Sequence, residues 1–186
     1  MKSVLIVSNE VDFTLIDQLS SPFNIGMVYH LPCDIPKGYM SHSWCRLPFN
    51  RSGVSRLRTF LSEAFTPDVI VILNCESYPI LSALYQQRCP IINVVSTQHD
   101  YCACGFDHTS VSWWTCIPIL WCNWVNRKRH VLLSNSAEVL ASTELISSAL
   151  HDRDIAHKQI KLHSELTRND HILDQIKACI SHKGNN

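Results

Sequence analysis

Three short polar stretches hold the residue types that do chemistry. Ser8-Asn9-Glu10-Val11, Asn74-Cys75-Glu76-Ser77 and Ser96-Thr97-Gln98-His99-Asp100-Tyr101 each follow an apolar run. A histidine such as His99 can donate to a phosphate or to a sugar hydroxyl, and Asp100 beside it can orient the ring or act as a base. Glu10 and Glu76 supply carboxylates, and Asn9, Asn74 and, farther along, Asn135 supply amides. The plainer reading of each is a loop residue bonded to its own backbone or to water.

Other chemistries fit less well. His99, Cys102, Cys104 and His108 are zinc-ligand types. Their Cys-x-Cys spacing is tighter than the usual knuckle and no second well-spaced cysteine pair follows, so no metal is expected. None of the five glycines falls in a GxGxxG or Walker pattern, which leaves no phosphate cradle and no expected cofactor. No GxSxG nucleophile elbow is present. Lys plus Arg and Asp plus Glu number 16 each, so no overall field favours nucleic acid. Nine cysteines, an odd number, follow a first apolar run, Val4 to Val7, that is too short for a secretory leader. The expectation is a cytoplasmic chain with reduced thiols, peripheral at the inner membrane face if it meets a membrane.

The candidate residues must be positioned by the elements around them. Val69-Ile70-Val71-Ile72-Leu73 is apolar without a break and mostly β-branched, as expected of a strand covered on both faces of a parallel sheet. Tyr78 to Gln87 carries Ile80, Leu81, Leu84 and Tyr85 at helical spacing, and Ile91 to Val95 is a second buried run. Strand, helix, strand is a right-handed βαβ unit. Ligands of open α/β sheets bind outside the carboxyl ends of the strands, where the candidate loops fall. The reading places strands at 3–8, 23–31, 69–73, 91–95 and 131–133, with a last short strand near 160–162. Helices are placed at 13–19, 53–65 and 170–180, and 32–51 is read as a long loop. Ser134-Asn135-Ser136 reads as the N-cap of a helix running through Ala149. The expected fold is α/β, doubly wound and mainly parallel, with residues 1–182 in one Rossmann-like domain and 183–186 a frayed tail.

Trp113, Trp114, Trp121 and Trp124 crowd an apolar stretch closed by Arg127-Lys128-Arg129. Three readings stay open: a buried core, a partner interface in which Trp and Arg are favoured, and an interfacial membrane segment beside a basic cluster. The patch is expected to work on something large, so at least two of the four tryptophans should be substantially exposed in the isolated chain or be covered by a second copy in self-association.

The order of elements resembles the N-terminal Rossmann-like domain of GT-B glycosyltransferases, the family-4 type especially. The resemblance is carried by Pro67-Asp68 before an apolar strand and by RCPIINVVSTQHD, a Pro-led strand with a polar tail containing His99. HVLLSNSAEVLASTEL, His130 to Leu145, and Asp154 to Leu162 extend it over most of residues 1 to 162. It implies that His99 lies in the cleft and contacts donor or acceptor. It also implies an acceptor-binding role, with the C-terminal donor-binding domain supplied by a partner subunit. The first loop, Ser8 to Val11, departs from the family in lacking glycines. The alternative is a non-catalytic binding or assembly module on a Rossmann-like scaffold.

Overall fold

A computed structural model describes residues 1–75, 77–96, 116–159 and 165–183. Within them the chain runs β1 (Lys2–Ser8), α1 (Phe13–Ser20), β2 (Phe23–Tyr29), β3 (Ser43–Arg46), α2 (Arg51–Thr59), β4 (Val69–Leu73) and α3 (Tyr78–Leu84). β5 (Ile91–Val95), α4 (Cys116–Ser134), β6 (Glu138–Ala141), α5 (Glu144–His151), β7 (Lys158–Gln159) and α6 (Glu165–Lys183) complete it. The described strands form one sheet in the order β3-β2-β1-β4-β5-β6-β7, and every pairing is parallel. This is the doubly wound, Rossmann-like architecture, with the strand order reversing between β1 and β4.

The unbroken apolar strands are explained by cover on both faces. Val4 and Ile6 of β1 pack with Leu15, Ile16 and Leu19 of α1 and with Ile172 and Ile176 of α6. Leu5 and Val7 pack the other way, with Leu57 of α2 and Ile80 and Leu84 of α3. Farther along the sheet, Leu133 of α4 and Ile146 and Leu150 of α5 close over Val95, Val139 and Ala141. Each such side chain removed from water stabilises the fold by roughly 1.5–3 kcal/mol before its entropy cost. Pro67-Asp68 does more than stop the preceding helix. The Asp68 amide donates to the Ser3 carbonyl at 2.8 Å while its carboxylate accepts from Ser3 N at 3.0 Å, which sets the register of β4 on β1.

Several sequence expectations need correction. Residues 131–133 are the last turn of α4, not a strand. In a strand Val131 and Leu133 would share a face, yet Val131 is 54% exposed and Leu133 only 7%. Ser134-Asn135-Ser136 is therefore the exit from a helix: Asn135 N donates back to the Val131 and Leu132 carbonyls. The strand is Glu138–Ala141, where Val139 and Leu140 point into different core clusters. The N-cap of α5 is Thr143, whose hydroxyl accepts from Ile146 N at 3.2 Å. Inside the expected 32–51 loop lies β3, an edge strand with Trp44 packed edge-on to Tyr29. Three half-exposed residues and an exposed arginine carry no period for a pattern to register; their order comes from β2 and from Trp44 Nε1 donating to the Tyr39 carbonyl at 2.8 Å. The expected helix 53–65 spans α2 and one wider π-type turn, Phe60–Ala64. The last strand appears as Lys158–Gln159, and the expected 160–162 lies outside the described residues.

Candidate functional site

At the switch point β1 leads into α1 on one face while β4 leads into α3 on the other, so the loops that follow them leave toward opposite faces, the place where open α/β sheets form a ligand crevice. On the β1 side Ser8 is buried, and its hydroxyl accepts from Glu10 N at 3.4 Å. The Asn9 carbonyl accepts from Leu31 N at 2.9 Å and His30 N at 3.3 Å, tying this loop to the end of β2. Asn9 is half-buried and Glu10 is exposed. On the β4 side Asn74 is exposed and holds φ at 48°, a left-handed conformation that asparagine tolerates better than most residues. Such conformations are held by their surroundings and concentrate at functional loops. Cys75 behind it is buried.

The N-terminus of α1 follows the β1 loop at this rim. Asp12 is its N-cap, accepting from Leu15 N at 3.1 Å and from the Thr14 hydroxyl at 2.6 Å. Arg168 of α6 pairs with the other carboxylate oxygen, and Arg168 Nε donates to Asn169 Oδ1 at 3.2 Å. Burial pushes the Asp12 pKa up, but the bonds from Thr14 and Leu15 and the Arg168 guanidinium outweigh it and hold the carboxyl below its ordinary value. A helix N-terminus at this point of a Rossmann-like sheet is where a dinucleotide's pyrophosphate sits. Here the protein's own carboxylate stands in that place, already matched to a cation, beside a loop without glycine. A phosphate approaching it would find the helix end already capped and the neighbouring cation already paired.

Behind β4 and β5 a narrow cavity of about 10 Å³ is lined by Asn74, Cys75, Tyr85, Asn93 and Arg129. That volume suits about one water. Asn93 Nδ2 donates toward Ser136 Oγ at 2.8 Å, and Tyr85 and Ser136 hydroxyls meet at 2.6 Å, so the pocket floor is a closed polar network. Burial pushes the Tyr85 phenol to about 12, against the lowering pull of its Ser136 and Asn93 bonds, so it stays protonated as a donor.

Of the residues singled out from sequence, Asn9, Glu10 and Asn74 come to the carboxyl rim of the sheet. Asn135 does not. It precedes β6 beside Ala137, whose amide bonds the Ile91 carbonyl where β5 begins, so it stands at the opposite rim. Glu76, His99 and Asp100 lie outside the described residues, as do Cys102, Cys104 and His108. Among the described residues no three His, Cys, Asp or Glu side chains group as metal ligands.

Comparison with known proteins gives little beyond architecture. No family model matches the chain, and no curated protein matches it. Among solved structures, a mutant short-chain dehydrogenase/reductase from Serratia marcescens is similar at 10% identity, covering 85% of this chain and 76% of that one with a TM-score of 0.40. The PbgP3 protein of Burkholderia pseudomallei is similar at 11% identity over 76% of this chain, with a TM-score of 0.39; the chain spans 52% of it.

Sequence reading missed two arrangements. Arg168 is 156 residues from Asp12, so nothing local announces the pair, although Asp12 before the apolar Phe13 run is an N-cap pattern. The second is Ser147 and His157. His157 Nδ1 lies 2.8 Å from the Ile155 carbonyl, which only accepts, so Nδ1 carries the proton and Nε2 accepts from the Ser147 hydroxyl at 2.7 Å. Nucleophile, base and orienter are thus in contact, but Ser147 N is spent on the Thr143 carbonyl and supplies no oxyanion donor. His157 also lines a cleft of about 380 Å³ at the amino rim of the sheet, with Glu138, Asp154 and Lys158.

Proposed function

We propose that this chain is an acceptor-binding unit of the GT-B glycosyltransferase type. It holds a neutral, hydroxyl-rich glycan or the sugar end of a lipid-linked acceptor at the crevice between the β1 and β4 loops. Another unit holds the nucleotide sugar. The observation that carries this reading is the Asp12–Arg168 pair at the α1 N-terminus, which fills the phosphate position of the scaffold with a compensated carboxylate. What the crevice offers instead are the amides of Asn9 and Asn74 and the carboxylate of Glu10, groups that pair with hydroxyls. In this reading Glu76 adds a further acceptor of hydrogen bonds, His99 contacts the sugar, and Asp100 orients His99 or takes the proton of the attacking hydroxyl.

The test is a binding titration of the purified chain with neutral oligosaccharides, a uridine diphosphate sugar and a nicotinamide dinucleotide. The oligosaccharides should bind and both nucleotides should not. Asn74→Ala should lose about 1 kcal/mol of stability, the cost of a left-handed backbone for a residue with an ordinary Cβ. Asn74→Gly should melt close to wild type. Both should bind oligosaccharide roughly tenfold more weakly, the value of one lost hydrogen bond to a polar group. Nucleotide-sugar binding by this chain alone, or full oligosaccharide affinity in Asn74→Gly, would overturn the reading.

A further inference from the structure

We infer that the helical layer α2, α3 and α4 is a docking face for an anionic lipid bilayer, with Trp124 as its interfacial anchor. The chain as a whole is neutral, with 16 cationic and 16 acidic residues. This layer is not. Arg51, Arg56, Arg58, Arg88, Arg127 and Lys128 are exposed on it, and Glu63 is the single carboxylate in its helices and the turns that close them among the described residues.

The three helices lie side by side. Arg58 Nη2 of α2 donates to Gln86 Oε1 just past α3 at 3.3 Å, and the Tyr78 ring at the start of α3 meets the Trp124 ring of α4 edge-on at 6.0 Å. On α4 the positions 124, 127, 128 and 131 share one side of a helix. Trp124 is 53% exposed and Val131 54% exposed, an arrangement that leaves apolar surface in water on either side of two cations. Lys128 Nζ sits 5.8 Å from the centre of the Trp124 ring. An indole flanked by cations suits the headgroup layer, where the ring takes the boundary and the cations meet phosphates. Each cation near an anionic surface adds attraction, and six to one is a large imbalance for a neutral chain. No described helix is long and apolar enough to cross a membrane, so the layer lies on the surface and does not span it. A nucleic acid would also meet the cations, but the exposed Val131 beside Trp124 has no use against a phosphate backbone.

The experiment is co-sedimentation of the full chain with empty vesicles of phosphatidylcholine alone or mixed with phosphatidylglycerol. Because these vesicles carry no glycan, the result is separable from the acceptor reading. Binding is expected only to the mixed vesicles and should fall steeply as salt is raised. Arg127→Gln with Lys128→Gln should lower the partition coefficient roughly 30-fold, at the usual increment for two surface cations. Trp124→Ser should lower it roughly tenfold, through lost interfacial burial. Lys37→Gln with Lys177→Gln, two exposed cations off this layer, should leave it unchanged. All of these side chains are exposed, so melting curves should superpose and confirm folding. Absence of binding to the mixed vesicles, wild-type binding by the Trp124 and Arg127/Lys128 variants, or a single-stranded RNA that binds tightly and displaces the vesicles would each overturn the inference.

Discussion

Gly53→Ala should lower the melting temperature by about 6–12 °C, although alanine is the better helix former. Helix propensity alone favours the substitution by roughly 1 kcal/mol. Tertiary contact reverses the sign. Gly53 lies in the first turn of α2 and is buried. A Cβ there would run into the Pro48 carbonyl oxygen, with Leu47 Cδ1 only 3.1 Å away. Neither neighbour can give cheaply. The Pro48 carbonyl is fixed by Asn50 N at 2.9 Å, and the Leu47 side chain is buried among the core residues between α2 and the sheet. The helix must therefore slide, which pulls Leu57, fully buried, away from Leu5, Val7 and Ile70. Overpacking against backbone of this kind costs about 3 kcal/mol, and a domain of this size loses about 2–4 °C per kcal/mol. A thermal melt of the variant above wild type would show that α2 can shift freely.

Asp12→Ala should destabilise the fold by about 2–3 kcal/mol, through two losses. The α1 N-cap goes, at about 1 kcal/mol, and Arg168, largely buried, loses its charge-assisted partner, at about 1.5 kcal/mol or more. Asp12→Asn keeps a competent cap and should lose only the second part. The pair also sets a pH dependence. The folded carboxyl titrates below its ordinary value of 3.8, so its contribution to stability is complete above that pH and is lost as pH falls through the lower folded value. Denaturant melts of wild type and Asp12→Asn should therefore differ by a constant amount from neutrality down to about pH 4 and converge below it. A difference that grew on acidification would mean that the carboxyl is not held down by Arg168. Because α6 is docked on α1 through this pair and Asn169, the same variant should raise protease sensitivity near residue 168.

Much of the scaffold follows from local sequence. Val4 to Val7, Val69 to Leu73 and Ile91 to Val95 are unbroken apolar runs, and only a sheet covered on both faces can bury every residue of such a run. Their separation by amphipathic helical stretches, with Pro67-Asp68 and Cys89-Pro90 as stops, fixes the parallel βαβ order and hence the rim where Asn9, Glu10 and Asn74 stand. Local sequence could not decide elements whose pattern is ambiguous over a few residues. Val131-Leu132-Leu133 suits strand or helix equally, and the length of α4 before it settles the matter. β3 exists because β2 offers it an unpaired edge, which no window around Ser43–Arg46 contains. The candidate site shows the same division. Residue types and their place after a strand are written in the chain. The occupation of the α1 N-terminus is not, because the cation that completes it arrives from the far end of the chain on α6, and only the folded packing of α6 against α1 brings Arg168 to Asp12. The basic face divides in the same way: Arg127 and Lys128 stand together beside the tryptophan stretch and are legible, whereas Arg56 and Arg88 are distant in a neutral sequence, and it takes the side-by-side packing of α2, α3 and α4 to gather all of this charge on one surface.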